Sequence, residues 1–145
     1  MTLAPVVLDS DTISELARGN RQIIAHAESY LKVHGTLTLT AVSVFERLRG
    51  YREALKLGKP FEEQLRKFQA FVVTCRVLPV DEAVAAQAAI IWAALSPRRR
   101  RALGDILIAA TASAHGLPLV TRNRRDFEPM ARLEELDLKL LDWTK

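Results

Sequence analysis

The chain has 145 residues, a formal net charge of +4 and a pI near 9.6, and most of its 21 basic residues are arginines. This length suits a single domain over residues 1–145 with a substantial hydrophobic core. An apolar fraction of 49% with 26% charged residues is typical of a globular protein and argues against a membrane protein. The positive charge is compatible with a nucleic-acid partner, although a charge of this size also serves solubility alone.

The N-terminal segment lacks the pattern of a secretory signal, because Asp9 interrupts its only apolar run. Cys75 is the only cysteine, which excludes an internal disulfide and predicts a packed structural thiol in a reducing compartment. The longest weakly polar stretch, from Ala83 to Leu95, is too short to cross a bilayer. Together these observations predict a cytoplasmic protein.

Short apolar segments alternate with helical patterns along the whole chain. Strands are predicted at Val6–Leu8, Leu37–Leu39, Val77–Val80, Leu119–Thr121 and Leu138–Leu141. Helices are predicted from a capping box at Thr12–Glu15 to Gly19, at Gln22–Val33, from Ala41 to before Gly58, at Phe61–Val72, at Asp81–Leu95 and at Asp105–Ala114. Strands that alternate with helices favour an α/β fold with a parallel sheet covered on both faces.

Carboxylate and amide side chains stand beside several of these apolar segments. Asp9 follows the first strand, Asn123 and Asp126 follow the fourth, and Glu46 and Asp105 lie on apolar helices. In parallel sheets, ligands collect outside the carboxyl ends of the strands, so the groups that follow strands one and four are expected to converge. A cluster of such hard oxygen ligands suits Mg²⁺ or Mn²⁺ and indicates metal-dependent phosphoryl chemistry.

Each of these residues also has a purely structural interpretation. Asp9 is of a type that caps helices, but the neighbouring Ser10, Asp11 and Thr12 also offer caps, so Asp9 is expected to face the sheet edge. Asp11 is expected to be either the cap or a group that supports the metal ligands from outside. Asp105 is either an N-cap after its glycine neighbour or a charge on an apolar helix face. Asn123 and Asp126 are alternatively turn residues.

Glu46 flanks the predicted buried stripe of its helix, which includes Phe45 and Leu48. Glu46 is therefore either a metal-site residue or a solvated charge on the helix surface. Gly50, one turn later, predicts a close backbone approach, because a glycine inside a helix costs stability without a packing reason.

The arginine run Arg98–Arg101 also has two interpretations. It is either a solvated helix start or a contact for a nucleic-acid backbone, which its nearness to Asp105 favours. Arg122 is a further candidate for contact with RNA, because it lies beside Asn123.

Taken in order, the acidic segments resemble the PIN-domain family, in particular the VapC-type toxins of bacterial toxin–antitoxin pairs. The matching segments are Leu8–Ile13, Glu46–Gly50, Asp105–Ala112 and Thr121–Phe127. Asp9, Glu46 and Asp105 match the first three acidic positions of the family. The fourth position, acidic in many members, is Asn123 here, with Asp126 three residues later.

The resemblance implies a three-layer α/β/α sandwich around a central parallel sheet of four to five short strands. It also implies an endoribonuclease that depends on Mg²⁺ or Mn²⁺ and leaves a 5′-phosphate and a 3′-hydroxyl. Asp9 and Asp105 would hold the metal, with Glu46 bound to it through water. The implied partners are an RNA substrate, an antitoxin encoded by the neighbouring gene, and a second copy of the chain.

Two alternatives stand beside this interpretation. Residues 8–12 also resemble the opening of haloacid-dehalogenase phosphatases, but Ala109 occupies the place of a later acidic residue which that family requires. The second alternative is a binding module that does not catalyse, in which the carboxylates are caps or a docking site for a basic partner.

Overall fold

Five short parallel strands form the centre of the computed structural model, which describes residues 3–145. The strands are β1 (Val7–Leu8), β2 (Thr38–Thr40), β3 (Arg76–Leu78), β4 (Leu119–Val120) and β5 (Leu140–Leu141). β4 pairs with β1 on one side and with β5 on the other, and β2 pairs with β3. β1 also contacts β2, so the spatial order is β3-β2-β1-β4-β5.

Helices connect these strands. They are α1 (Ser10–Ala17), α2 (Arg21–His34), α3 (Ala41–Lys56), α4 (Glu62–Val73), α5 (Glu82–Ala94), α6 (Leu103–Ala114) and α7 (Arg124–Ala131). Single 3₁₀ turns lie at Arg99–Arg101 and Glu134–Leu136. Side-chain caps define several helix starts: the side-chain oxygens of Asn20, Thr40 and Asp81 accept hydrogen bonds from backbone N–H groups in the first turns of α2, α3 and α5.

The sheet separates two hydrophobic cores. Val7 and Leu119 belong to the core that contains residues of α5, α6 and α7, whereas Leu8 and Val120 belong to the core that contains residues of α1, α2 and α4. Successive side chains of a strand point to opposite faces, so neighbouring strand residues enter different cores. This arrangement confirms the α/β class and the helix–sheet–helix layering.

Several predicted boundaries differ from the observed ones. α1 begins at Ser10 and not at Thr12, because Asp9 and not Thr12 supplies the cap. α6 begins at Leu103, and α7 has no counterpart among the predicted helices because Pro129 lies within it. Pro129 removes one backbone N–H donor from this short helix, which nevertheless buries Phe127 and Met130 against the core.

Two expectations about α3 are wrong. Phe45 is 58% exposed and does not lie on the buried face, which Val42 and Ser43 occupy instead. Gly50 makes no close approach: a Cβ atom at this position would have no atom within 4 Å.

Two further predictions, one about the cysteine and one about membrane-spanning segments, agree with the structure. Cys75 packs against the core that contains α4, and burial raises the pKa of its thiol. Over residues 3–145, every helix is too short or too polar to cross a membrane.

Candidate metal centre

Asp9 lies at the carboxyl end of β1 and is only 2% exposed. Its Oδ1 accepts a hydrogen bond from the backbone N–H of Thr12 at 2.7 Å, so Asp9 caps α1. Thr121, at the end of β4, also hydrogen-bonds to this carboxylate, but burial dominates and raises the pKa of Asp9. The prediction that Asp9 is free of a capping role is therefore wrong. A carboxylate has about four lone-pair positions, so capping leaves acceptor sites for a ligand.

Asp11 does not cap the helix as predicted. Its Oδ2 accepts a hydrogen bond from Nε of Arg122 at 2.7 Å, and Arg122 also reaches Oε1 of Glu15 at 3.2 Å. These ion pairs hold the segment after β4 against α1. Asp11 and Arg122 thus have a structural role, and the predicted contact of Arg122 with RNA remains a prediction.

Glu46 projects from α3 toward α1 and α6. Its Oε1 accepts a hydrogen bond from the hydroxyl of Ser10 at 2.6 Å. Its other oxygen lies so close to Gly104 that a Cβ atom there would be 2.5 Å from Oε2. Glu46 is therefore held in place by two other segments and is not a solvated helical charge.

Asp105 lies in the first turn of α6, where Ala102 and not Asp105 is the capping residue. The pKa of Asp105 is raised from 3.8 to about 6. Burial is the main cause, followed by repulsion from Asp126, Glu46 and Asp9, in that order. The three other carboxylates come from separate parts of the chain and are near enough to Asp105 to raise its pKa.

Asn123 and Asp126 form a unit at the start of α7. The Asn123 side-chain amide donates a hydrogen bond to Oδ2 of Asp126 at 2.8 Å, and the Asn123 backbone N–H donates to the Thr121 hydroxyl at 2.9 Å. Asp126 is exposed, and its negative charge contributes to the raised pKa of Asp105. Asp126 is thus the acidic group that the structure brings to the fourth position.

Three hydroxyl side chains in this site are absent from the sequence-based prediction. Ser10 holds Glu46, Thr121 links Asp9 to the Asn123 segment, and the Thr12 hydroxyl donates to the Val120 carbonyl at 3.1 Å. Their signal in the sequence is weak, since serine and threonine follow many strands. Only their position directly beside the acidic residues distinguishes them.

Three of these four carboxylates border two clefts. The first, of about 570 Å³, is lined by Glu46, Asp105 and Arg101, among others. The second, of about 770 Å³, contains Asp126 and several arginines of the predicted run. Arg101 lines the same cleft as Asp105, whereas Arg98 and Arg99 line only the second cleft, and the contact of Arg98–Arg101 with RNA remains a prediction.

The donor set consists of carboxylate oxygens, which suit Mg²⁺ or Mn²⁺ better than softer metals. Within residues 3–145, no group of three or more His, Cys, Asp or Glu side chains is arranged to hold a metal ion without rearrangement. The residues fit a divalent ion in the chemistry of their donor atoms, and repulsion from Asp126, Glu46 and Asp9 adds to burial in raising the pKa of Asp105.

Comparison with known proteins agrees with this arrangement. The PIN-domain family model matches residues 6–133. A VapC ribonuclease, Y4jK of Sinorhizobium fredii, is 34% identical over 129 residues, which are 85% of this chain and 90% of that protein.

Solved structures show the same fold. The structure of VapBC-1 from nontypeable Haemophilus influenzae matches with a TM-score of 0.75 at 22% identity, covering 98% of this chain and 100% of that one. FitAcB from Neisseria gonorrhoeae matches with a TM-score of 0.63 at 26% identity over 95% and 97% of the two chains. A chain that folds into this sandwich and matches the family model over most of its length belongs to the PIN-domain family, with VapC-type proteins among its relatives.

Proposed function

We propose that this protein is an endoribonuclease of the VapC type that hydrolyses RNA phosphodiester bonds and depends on Mg²⁺ or Mn²⁺. The observation that carries the proposal is the raised pKa of Asp105, to about 6, beside three other carboxylates. Proteins keep such repelling groups together mainly at functional sites. The similarity to a protein named as a VapC ribonuclease supports RNA as the substrate.

Asp9 and Asp105 would hold the ion, and Glu46 would bind it through water. When bound, the divalent ion would neutralise part of the negative charge of the phosphate and would lower the pKa of the attacking water. Asp9 is kept rigid by its bond to Thr12, and the Ser10 hydroxyl orients Glu46. Asp126 would complete the site, with the Asn123 amide fixing its carboxylate.

The family membership overturns the haloacid-dehalogenase alternative, because the PIN model matches residues 6–133. The family model ends before β5, yet β5 pairs with β4 and completes the sheet. This pairing supports one domain over residues 1–145. We further propose that the protein acts in the cytoplasm.

We also propose that a cognate antitoxin binds this chain, and that the chain forms a homodimer. Several solved structures with this fold are VapBC assemblies, and one is described as a toxin–antitoxin complex from Klebsiella pneumoniae. An apolar groove of about 420 Å³, lined by Ile13, Leu16, Phe68 and Phe71 among others, supports docking of a partner segment. A cation from such a segment would neutralise the carboxylates as a metal does.

RNA cleavage by the purified protein tests the proposal. We expect cleavage of single-stranded RNA with millimolar Mg²⁺ or Mn²⁺, none with EDTA, and almost none for Asp105→Asn prepared in the same way. Equal cleavage by the wild type and the variant, in preparations shown to be free of contaminating nuclease, would contradict the site assignment. Binding of RNA without cleavage under any metal would favour the non-catalytic binding module.

A further inference from the structure

The four arginines at positions 98–101 are not equivalent. Arg100 is partly buried: its Nε donates to the backbone carbonyl of Trp92 at 2.9 Å, and its guanidinium lies 5.2 Å from the centre of the Trp92 ring. Arg100 therefore anchors the 3₁₀ turn to α5. Arg98, Arg99 and Arg101 are exposed and extend from the anchored turn.

These three arginines share a cleft with a fourth one from α7. The cleft of about 770 Å³ is lined by Arg98, Arg99, Arg101 and Arg125, against one acidic residue, Asp126. Within residues 3–145, none of these four arginines forms a salt bridge. The cleft is therefore strongly positive and has guanidinium groups available for an external anion.

Arg101 occupies a special position among them, because it also lines the cleft of about 570 Å³ that contains Glu46 and Asp105. The two clefts meet at Arg101 and Ala102. Asp105 lines the first cleft and Asp126 the second, so a carboxylate of the proposed metal site lies on each side of this junction. A polyanion that passes from one cleft to the other passes Arg101.

We propose that the two clefts form a continuous path for single-stranded RNA, and that Arg101 binds the phosphate next to the one cleaved. This inference rests on the proposed ribonuclease function and adds the course of the substrate. Arg98, Arg99 and Arg125 would hold the adjoining part of the same strand. Guanidinium groups bind phosphate in a bidentate manner, and positive grooves that follow the backbone are typical of single-strand binding. Because arginines dominate this cleft, it recognises the backbone more than the bases.

Binding can be measured apart from cleavage by keeping EDTA in the buffer. Fluorescence anisotropy of a labelled single-stranded RNA would be recorded over a range of salt concentrations for the wild type, Arg101→Ala, Arg101→Lys and Arg66→Ala. Arg66 is the matched control, because it is exposed on α4 and pairs there with Glu63.

We expect Arg101→Ala to weaken RNA binding several-fold and to reduce the slope of log K against log salt by about 0.7, the value for one phosphate contact on a single strand. Arg101→Lys should keep the slope but bind more weakly, because lysine lacks the planar fork. Arg66→Ala should match the wild type in RNA affinity and in the slope of log K against log salt. A slope and affinity for Arg101→Ala equal to those of Arg66→Ala would overturn the inference, and so would equal affinity of the wild type for duplex RNA of the same sequence.

Cleavage with Mn²⁺ separates this inference from the function on which it rests. If Arg101→Ala cleaves with the wild-type KM, the path is wrong and the ribonuclease proposal stands. If the wild type binds RNA through Arg101 but never cleaves it, the ribonuclease proposal fails and so does the placement of Arg101 beside a cleaved phosphate, while the course of the RNA through the two clefts stands. A wild type that does not bind RNA at low salt overturns both.

Discussion

Gly104 and Glu46 are in such close contact that any side chain at position 104 would collide with the carboxylate. A Cβ atom there would lie 2.5 Å from Oε2 and 3.2 Å from the carboxyl carbon of Glu46. The glycine thereby allows the start of α6, which carries Asp105, to lie directly against a side chain of α3. Two carboxylates of the proposed metal site owe their proximity to this contact.

The first prediction follows from this contact. Gly104→Ala should displace the Glu46 carboxylate and lower RNA cleavage by about 10- to 100-fold, as expected for a change that disturbs how a metal-site group is held. Stability should change little, because the atom that must move is the end of a flexible side chain. Gly50→Ala is the matched control, since a Cβ there meets nothing within 4 Å. It should stabilise α3 by about 0.5–1 kcal/mol and leave cleavage unchanged. Equal activity of both variants would contradict the proposed role of Glu46.

The second prediction concerns pH. The pKa of Asp105 is about 6 in the folded metal-free protein, against 3.8 ordinarily. Between these values the folded state holds a proton that the unfolded chain has released, so stability falls as pH rises from about 4 through 6. In EDTA, the Tm of the wild type should be lower at pH 7 than at pH 5, by more than for Asp105→Asn. If the Tm of the wild type and the Tm of Asp105→Asn changed equally with pH, Asp105 would not titrate in this range.

The third prediction concerns metal and stability at neutral pH. Mg²⁺ or Mn²⁺ should raise the Tm of the wild type, because an ion that binds only the folded state stabilises it by mass action. Asp105→Asn should be at least as stable as the wild type in EDTA, since one repelling charge is removed, and should respond less to metal. The measurement is a set of thermal melts with EDTA and with millimolar Mn²⁺. A wild-type Tm that is indifferent to metal would argue against a functional carboxylate cluster.

The fourth prediction separates the two roles of Asp9. Asparagine caps helices about as well as aspartate, so Asp9→Asn should keep most of the stability of α1 while it removes most of the cleavage. Asp9→Ala should lose the same activity and additionally about 1 kcal/mol of unfolding free energy for the missing cap. Chemical denaturation and cleavage assays on both variants provide the comparison. Full activity of Asp9→Asn would exclude Asp9 as a metal ligand.

The fifth prediction addresses the fourth position of the site. Asp126 raises the pKa of Asp105, and Asn123 donates a hydrogen bond to Asp126. Asp126→Asn should therefore reduce cleavage more than Asn123→Ala, although less than Asp9→Asn, because Asp126 is exposed. Cleavage rates over a range of Mn²⁺ concentrations would test this order. A larger loss for Asn123→Ala would make the amide, and not the carboxylate, the important group.

The alternation of strands and helices and the family resemblance are both readable from the order of the residues. Buried strands such as Leu119–Val120 and the apolar helix α6 are recognisable because burial imposes local patterns of composition and periodicity. Asp9, Glu46 and Asp105 are detectable because charged groups beside apolar segments are unusual.

How these groups are held, and which neighbours they have, depends on the packing of the folded chain. Asp9 is a helix cap, Glu46 receives its hydrogen bond from Ser10, thirty-six positions away, and Arg100 anchors the turn from which Arg101 extends. Such pairs join distant parts of the chain, and their contacts depend on how helices pack across the sheet. A local pattern predicts whether a residue is buried, but the identity of its partner is set by the packing of segments that are far apart in the sequence.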